Sequence, residues 1–98
     1  MELNIKKDLT SIWFKTLQNS ICSTISNLEK NKIKFQITTW KRNKKKNEGG
    51  GEYRILKNGK VFEKVGVNFS KVYGKFPKQF QKKIPGAQKD PRFWASGI

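Results

Sequence analysis

Apolar side chains recur every three or four residues along the first third of the chain. Between Asp8 and Glu29 this spacing predicts an amphipathic helix of about five or six turns. Six positions form the apolar stripe and three more widen it: Leu9, Trp13, Leu17, Ile21, Ile25 and Leu28, then Ile12, Phe14 and Cys22. Asp8 or Thr10 is the expected N-cap, because either side chain can accept a hydrogen bond from the first turn. We expect the stripe to be buried as core.

Alternating apolar and polar positions predict strands in the middle of the chain. Ile33–Trp40 alternates with period two, which is typical of a half-buried strand. Tyr53–Lys57 and Lys60–Ser70 are two further strands on either side of Asn58-Gly59. That dipeptide predicts a two-residue type I′ turn, because both central residues of such a turn need a positive φ.

Glycines interrupt this pattern at two places. The run Gly49–Gly51 follows a lysine-rich segment, 42–48, that we expect to be a solvated loop. A phosphate-binding loop would need a helix directly after the glycines. Glu52–Leu56 has the pattern of a strand instead, so that function is excluded. Gly66, inside the Lys60–Ser70 strand, predicts a bulge or the close approach of another backbone.

The last quarter of the chain predicts one short helix and the start of another element. Phe76, Phe80 and Ile84 have helical spacing, with a proline in the first turn and Pro85-Gly86 as the stop. The segment 93–98 is apolar and aromatic and carries no stop signal. We therefore expect the chain to be cut inside an element.

Composition adds a strong positive charge to this picture. The 98 residues carry a formal net charge of +15, and 35% of them are hydrophobic, which predicts a marginal core. The charge favours polyanionic partners, but only Arg42, Arg54 and Arg92 could make the bidentate contacts that nucleic-acid binders often use. A small basic nucleic-acid-binding module stays open as an alternative. It would use the cationic run Lys44–Lys46 with three aromatic side chains as stacking surfaces: Tyr53, Phe62 and Tyr73.

Several classes of site and location are disfavoured by single residue types. Histidine is absent, which removes the commonest general base and the commonest metal ligand. Cys22 is the single cysteine; we expect a buried, inert thiol and a reducing compartment. No segment is long and apolar enough to span a membrane. The carboxylates are scattered rather than paired, and Glu63 on its predicted strand is best explained as a structural or edge residue.

One stretch is specific enough to point to a family. Seven motifs resemble those of oxygen-dependent coproporphyrinogen III oxidases and occur in the same order: Trp40-Lys41-Arg42, the glycine run, Arg54-Ile55-Leu56, Asn58-Gly59, Val61–Ser70, Gly74 and Ala95–Ile98. Val61–Gly74 is the most specific part of this resemblance. The chain departs from the family pattern in having three glycines instead of four and a longer lysine-rich loop.

The resemblance implies an α+β fold in which an N-terminal amphipathic helix packs on the first strands of a large antiparallel sheet. Residues 1–98 would be the N-terminal part of a single oxidase domain, truncated at its C-terminus. The implied enzyme oxidatively decarboxylates two propionates of coproporphyrinogen III to give protoporphyrinogen IX. It uses molecular oxygen as co-substrate and no organic cofactor; a metal requirement is unspecified.

The resemblance also locates the functional residues. The substrate-binding serine is expected directly after Ile98, and the catalytic residues further on, so none lies within the chain and the chain alone is predicted to be inactive. It implies a cytoplasmic homodimer, with dimer-contact candidates in the hairpin: Ile55, Leu56, Asn58, Gly59, Val61, Phe62, Glu63 and Lys64. A non-catalytic dimerisation piece that pairs through the hairpin edge is a second alternative.

Overall fold

The computed structural model describes residues 2–30 and 33–98. A long helix α1 precedes four strands and a one-turn helix: α1 Leu3–Leu28, β1 Gln36–Lys41, β2 Gly49–Lys57, β3 Lys64–Lys75, α2 Lys78–Gln81 and β4 Arg92–Gly97. The strands form one antiparallel sheet in the order β1-β2-β3-β4, and α1 packs on β3 and β4. The predicted α+β arrangement is confirmed.

None of the described helices has the length and apolar character needed to cross a bilayer.

Helix α1 begins at Leu3, well before the predicted start at Asp8. Glu2 is the N-cap residue and its side chain makes no capping hydrogen bond, so the prediction of Asp8 or Thr10 as N-cap is wrong. The Thr10 hydroxyl instead donates to the Lys6 carbonyl oxygen inside the helix, at 2.7 Å. Once a helix is nucleated, each further residue adds a hydrogen bond, and no breaker precedes Asp8 to stop that extension.

The buried face of α1 is centred on Gln18. Its side chain is 0% exposed, and its Nε2 donates to the carbonyl oxygens of Glu52 and Val67, both at 3.1 Å. Its Oε1 accepts a hydrogen bond from Lys15 Nζ, also at 3.1 Å. The amide therefore ties the helix to β2 and β3 at once. Cys22, one turn further along, is buried as predicted.

The predicted apolar stripe is only partly core. Leu9, Trp13 and Leu28 are exposed, so the expectation that they are buried is wrong, and Ile12 is exposed as well. A buried amide needs hydrogen-bond partners, and Gln18 finds them only when its own side of the helix faces the sheet. At about 100° per residue, that rotation turns Leu9 and Trp13 outward.

The hydrophobic core is correspondingly small. The buried apolar residues are Cys22, Leu56, Val67 and Ala87. The accessible surface is 7775 Å², against about 5,800 Å² for a compact monomer of this mass. The radius of gyration is 17.1 Å, against about 13 Å for a compact domain of this length. The helix and sheet thus leave far more surface in solvent than an ordinary domain of this size does.

The glycine run belongs to β2 instead of ending a loop. Gly50 pairs with Lys41 on one side and Lys71 on the other, and Gly51 pairs with Trp40 and Ser70. A Cβ on Gly50 would collide with the Trp40 carbonyl oxygen, and one on Gly51 would lie 2.8 Å from Cζ2 of the Trp40 ring. The absence of side chains therefore lets the three strands approach closely here.

The β2–β3 connection is longer than predicted. Lys57 pairs with Lys64, so residues 58–63 form the loop and β3 does not begin at Lys60. Asn58 has a φ of 61°, but Gly59 is not in the positive-φ region, and the Asn58 N–H donates to the Glu63 carbonyl oxygen at 2.8 Å. The prediction of a two-residue type I′ turn is therefore wrong.

A carboxylate from the end of α1 explains the longer loop. Glu29 is 3% exposed and accepts hydrogen bonds from the backbone N–H groups of Lys60 at 2.9 Å, Val61 at 3.0 Å and Phe62 at 2.7 Å. These donors, those of Phe62 and Val61 first, lower the pKa of Glu29. A Cβ on Gly59 would collide with this carboxylate, so the glycine provides space for it.

Two smaller expectations also fail. Gly66 pairs with Ile55 in an unbroken register, and a Cβ there would meet only Asn68 Oδ1 at 3.9 Å, so Gly66 marks neither a bulge nor a close approach. Of the three apolar residues expected in the short second helix, only Phe80 lies in α2, and it is exposed. A single turn of helix leaves Phe76 and Ile84 outside it.

We expect Gln18→Met to lower the free energy of unfolding by about 1–3 kcal/mol, because a side chain of similar shape then leaves both hydrogen bonds to the sheet unmade. Chemical denaturation monitored by circular dichroism measures the change. Gln79→Met makes the same replacement at an exposed position of α2 and should change stability by less than about 0.5 kcal/mol. Equal effects of the two variants would contradict the anchoring role of Gln18.

We expect Glu29→Gln to lower the thermal midpoint at pH 7, with the gap to the wild type closing as the solution is acidified. The native pKa of Glu29 is lowered from 4.5, so its stabilisation is fully present above about pH 4.5 and disappears as pH falls through the native value. Melting curves between pH 7 and pH 3 test this. Glu63→Gln, an exposed position in the 58–63 loop that Glu29 binds, is the control. A gap for Glu29→Gln that does not change with pH would refute the prediction.

Candidate anion-binding cleft

A row of two lysines and a glycine crosses the sheet beside α1. Lys41 of β1 pairs with Gly50 of β2, which pairs with Lys71 of β3. The row is on the helix side of the sheet: Glu52 and Phe69, two residues along from Gly50 and Lys71, contact Lys15 of α1. Gly50 has no side chain, so a gap remains between the two lysines.

This gap is the floor of a cleft with a volume of about 640 Å³. Helix α1 forms one wall through Ser11 and Lys15, and the 42–48 loop forms the rim. Six lysines line the cleft: Lys15, Lys41, Lys44, Lys45, Lys46 and Lys71. The sheet register thus adds Lys41 and Lys71, and the packing of α1 adds Lys15, to the lysine run that was evident in the sequence.

The rim is held by polar contacts within the loop. Asn43 Oδ1 accepts hydrogen bonds from the backbone N–H groups of Lys45 at 2.9 Å and Lys46 at 3.3 Å. Arg42 and Glu48 close the base of the loop through a 2.7 Å ion pair. These contacts fix the backbone of the lysine run while its charged side chains stay exposed.

Arg42 also connects the loop to the far side of the sheet. Its guanidinium carbon is 4.8 Å from the centroid of the Phe93 ring, and its Nη1 donates to the Tyr73 carbonyl oxygen at 3.1 Å. A Cβ on Gly74 would lie 2.7 Å from that Nη1. Gly74 therefore provides the space that Arg42 needs, which gives a physical reason for two separate parts of the sequence signature.

The electrostatics of the cleft are dominated by unneutralised cations. Glu52 pairs with Lys15 and, at 3.3 Å, with Arg54. Burial first and Arg54 second lower the pKa of Lys15. Over residues 2–30 and 33–98, the other lysines of the cleft are in no ion pair: Lys41, Lys44, Lys45, Lys46 and Lys71. The cleft can therefore attract and hold a multiply charged anion.

Among residues 2–30 and 33–98, no group of three or more His, Cys, Asp or Glu side chains is placed to hold a metal ion. Asp90 pairs with Arg92 at 2.8 Å instead, and hydrogen bonds from Arg92 lower the pKa of Asp90 to about 2.

The dimer-contact candidates lie together at the opposite end of β2 and β3 from the cleft. Ile55 and Leu56 are near the end of β2, the next five candidates are in the 58–63 loop, and Lys64 begins β3. Leu56 is fully buried within the fold, whereas Val61 is 59% exposed. The stacking residues of the nucleic-acid alternative are elsewhere: none of Tyr53, Phe62 and Tyr73 lines the cleft.

Several residues that organise these sites could not be identified from the sequence. Lys15, Lys41 and Lys71 gave no signal, because only the register and the rotation of α1 bring them together. Glu29 did give one. An acidic residue at a helix C-terminus opposes the helix dipole, which suggests that its carboxylate has a partner elsewhere.

Comparison with known proteins identifies related sequences. The family model described as Coproporphyrinogen III oxidase matches residues 10–98. The chain belongs to the coproporphyrinogen III oxidase family. The oxygen-dependent coproporphyrinogen-III oxidase of Rickettsia akari is 41% identical over 100 residues, which cover 94% of this chain and 34% of the relative. The Rickettsia africae enzyme of the same name is 40% identical over 105 residues, covering 98% of this chain and 36% of the relative.

The chain thus spans about a third of the length of the curated oxidases that it matches. No solved structure gives a significant match. Neither the family model nor the names of these oxidases support the nucleic-acid-binding alternative. The motifs that carried the resemblance, from Trp40 to Ile98, all lie inside the matched range.

Proposed function

We propose that the chain is the N-terminal part of an oxygen-dependent coproporphyrinogen III oxidase domain and is inactive without the rest of it. The observation that supports this is the combination of a family match over residues 10–98 with coverage of about a third of the relatives. The reaction would convert two propionates of coproporphyrinogen III to vinyl groups. Each conversion releases CO₂, a proton and two electrons, and molecular oxygen accepts the electrons. No organic cofactor is needed for this chemistry as proposed.

The contribution of this part would be binding rather than proton transfer. Coproporphyrinogen III carries four carboxylates, and enzymes hold such groups with fixed cations. The cleft offers Lys41 and Lys71 on the sheet and Lys44–Lys46 on the rim. The acid, the base and the substrate-binding serine would come from the sequence that follows Ile98 in the family pattern.

Assembly and location are further parts of the proposal. The enzyme would be a cytoplasmic homodimer, with a contact formed by the 58–63 loop. Exposed Val61 supports this placement, and the Glu29 carboxylate gives the loop a defined shape to present. Leu56 is fully buried and has no surface free to touch the second subunit.

For the cleft, we expect the triple variant Lys44→Gln/Lys45→Gln/Lys46→Gln to bind coproporphyrin III about tenfold more weakly than the unmodified chain does. Coproporphyrin III is the stable oxidised form of the substrate. Fluorescence titration at low and physiological salt measures the dissociation constant. Lys78→Gln/Lys82→Gln/Lys83→Gln removes the same charge from the exposed α2 region and should leave binding within about twofold. Equal weakening by both triples would mean that net charge alone attracts the porphyrin.

For the activity, we expect a chimera to be an active oxidase when this chain replaces the matched segment of the Rickettsia akari enzyme. Conversion of coproporphyrinogen III in air is followed by the fluorescence of protoporphyrin IX after chemical oxidation of the product. The 98-residue chain by itself should give no product above a blank without protein. A folded but inactive chimera, or an active isolated chain, would each contradict the proposal.

A further inference from the structure

The outward side of α1 carries an apolar patch that nothing in the described structure covers. It consists of Ile5, Leu9, Ile12 and Trp13, which are 47%, 50%, 62% and 59% exposed. Their spacing of four, seven and eight residues from Ile5 places them along one side of the helix. We call this the outer patch.

The outer patch is confined to the first half of the helix. Further along the same side, Thr16 lies four residues after Ile12 and Ser23 seven after Thr16, and both are polar and exposed. An ordinary solvent-facing helix would be polar throughout, as this second half is. A localised group of large apolar side chains is typical of a contact surface instead.

We propose that the outer patch is where the remaining two thirds of the oxidase domain docks, so that α1 lies between the sheet and that part. This inference rests on the proposed function. The relatives contain about twice as much further sequence as the segment that matches this chain. Ile12 and Trp13 fall inside the residues matched by the family model, so this part of the patch belongs to the oxidase domain itself.

The amount of exposed surface fits an occupant of that size. The accessible surface of 7775 Å² exceeds that of a compact monomer of this mass by about 2,000 Å². Permanent interfaces between chains bury areas of about this order. The excess belongs to the whole chain, of which the outer patch is one part, and the larger part of a domain is large enough to cover it.

A second copy of the chain is a poorer occupant. Each copy carries a formal net charge of +15, so two copies would bring like charges together around the patch. The patch also lies in the first half of α1, whereas the loop proposed to contact the second subunit is bound by Glu29 at the other end of the helix. The remainder of the oxidase domain is therefore the better occupant of the outer patch.

The first test compares stability in the isolated chain and in the Rickettsia akari chimera. Leu9→Glu/Ile12→Glu should leave the thermal midpoint of the isolated chain nearly unchanged, because both positions are exposed there, and lower that of the chimera by more than about 5 °C. The control Thr16→Glu/Ser23→Glu adds the same charge on the same side and should change neither protein. Equal responses of chain and chimera to Leu9→Glu/Ile12→Glu would overturn the proposal.

The second test uses the wild-type side chains. Hydroxyl-radical footprinting of Trp13 should show strong oxidation in the isolated chain and several-fold protection in the chimera. Unchanged oxidation in a folded chimera would overturn the proposal, as would protection of the isolated chain that grows with its own concentration, which indicates a second copy. Neither measurement depends on turnover, so an inactive chimera with protected Trp13 would refute the proposed function and still support docking at the outer patch.

If the chimera does not fold, the same two parts are expressed as separate polypeptides and mixed. Association that Leu9→Glu/Ile12→Glu abolishes and the control variant does not would support the proposal. Absence of association, or association that both variants leave intact, would overturn it.

Discussion

The side-chain amide of Gln18 fixes how α1 lies on the sheet, and much of the structure follows from that one contact. Both of its N–H groups are used on the carbonyl oxygens of Glu52 and Val67. A buried amide cannot give up these partners without loss of stability, so this side of the helix must face inward. The rotation places Cys22 in the core, Lys15 over Glu52 and the apolar side chains Leu9 and Trp13 in solvent.

A second constraint comes from backbone atoms that approach closely where side chains are missing. Gly50 and Gly51 allow β1 and β3 to lie on either side of β2 with no Cβ between them, and Gly74 makes room for the Arg42 guanidinium. The lysines of the cleft gather around the gap at Gly50. In this way the glycine tract, which has no reactive side chains, shapes a strongly cationic depression beside the helix.

Polar contacts have a large part in stabilising the packing of α1 on the sheet. The apolar core is small, while Gln18 and Glu29 are buried and fully engaged with backbone groups of the sheet and loop. Such contacts define the geometry well but bury little apolar surface. They therefore contribute less to the free energy of unfolding than a large apolar core would. The chain is about a third as long as the related oxidases. On the proposed function, it would share its core with the rest of the oxidase domain.

The sequence by itself determined the element types, the α+β class and the family. Helical spacing, period-two alternation and the Val61–Gly74 signature are local patterns, and each is read from neighbouring residues. The tertiary structure alone decided which side of α1 is buried, that the glycines join β2, and that the β2–β3 loop spans residues 58–63. Those outcomes depend on partners far along the chain: Gln18 on Val67, Glu29 on Phe62 and Gly50 on Trp40. No local periodicity contains such pairings, because a buried polar group selects its partner only after the strands have been brought together in space.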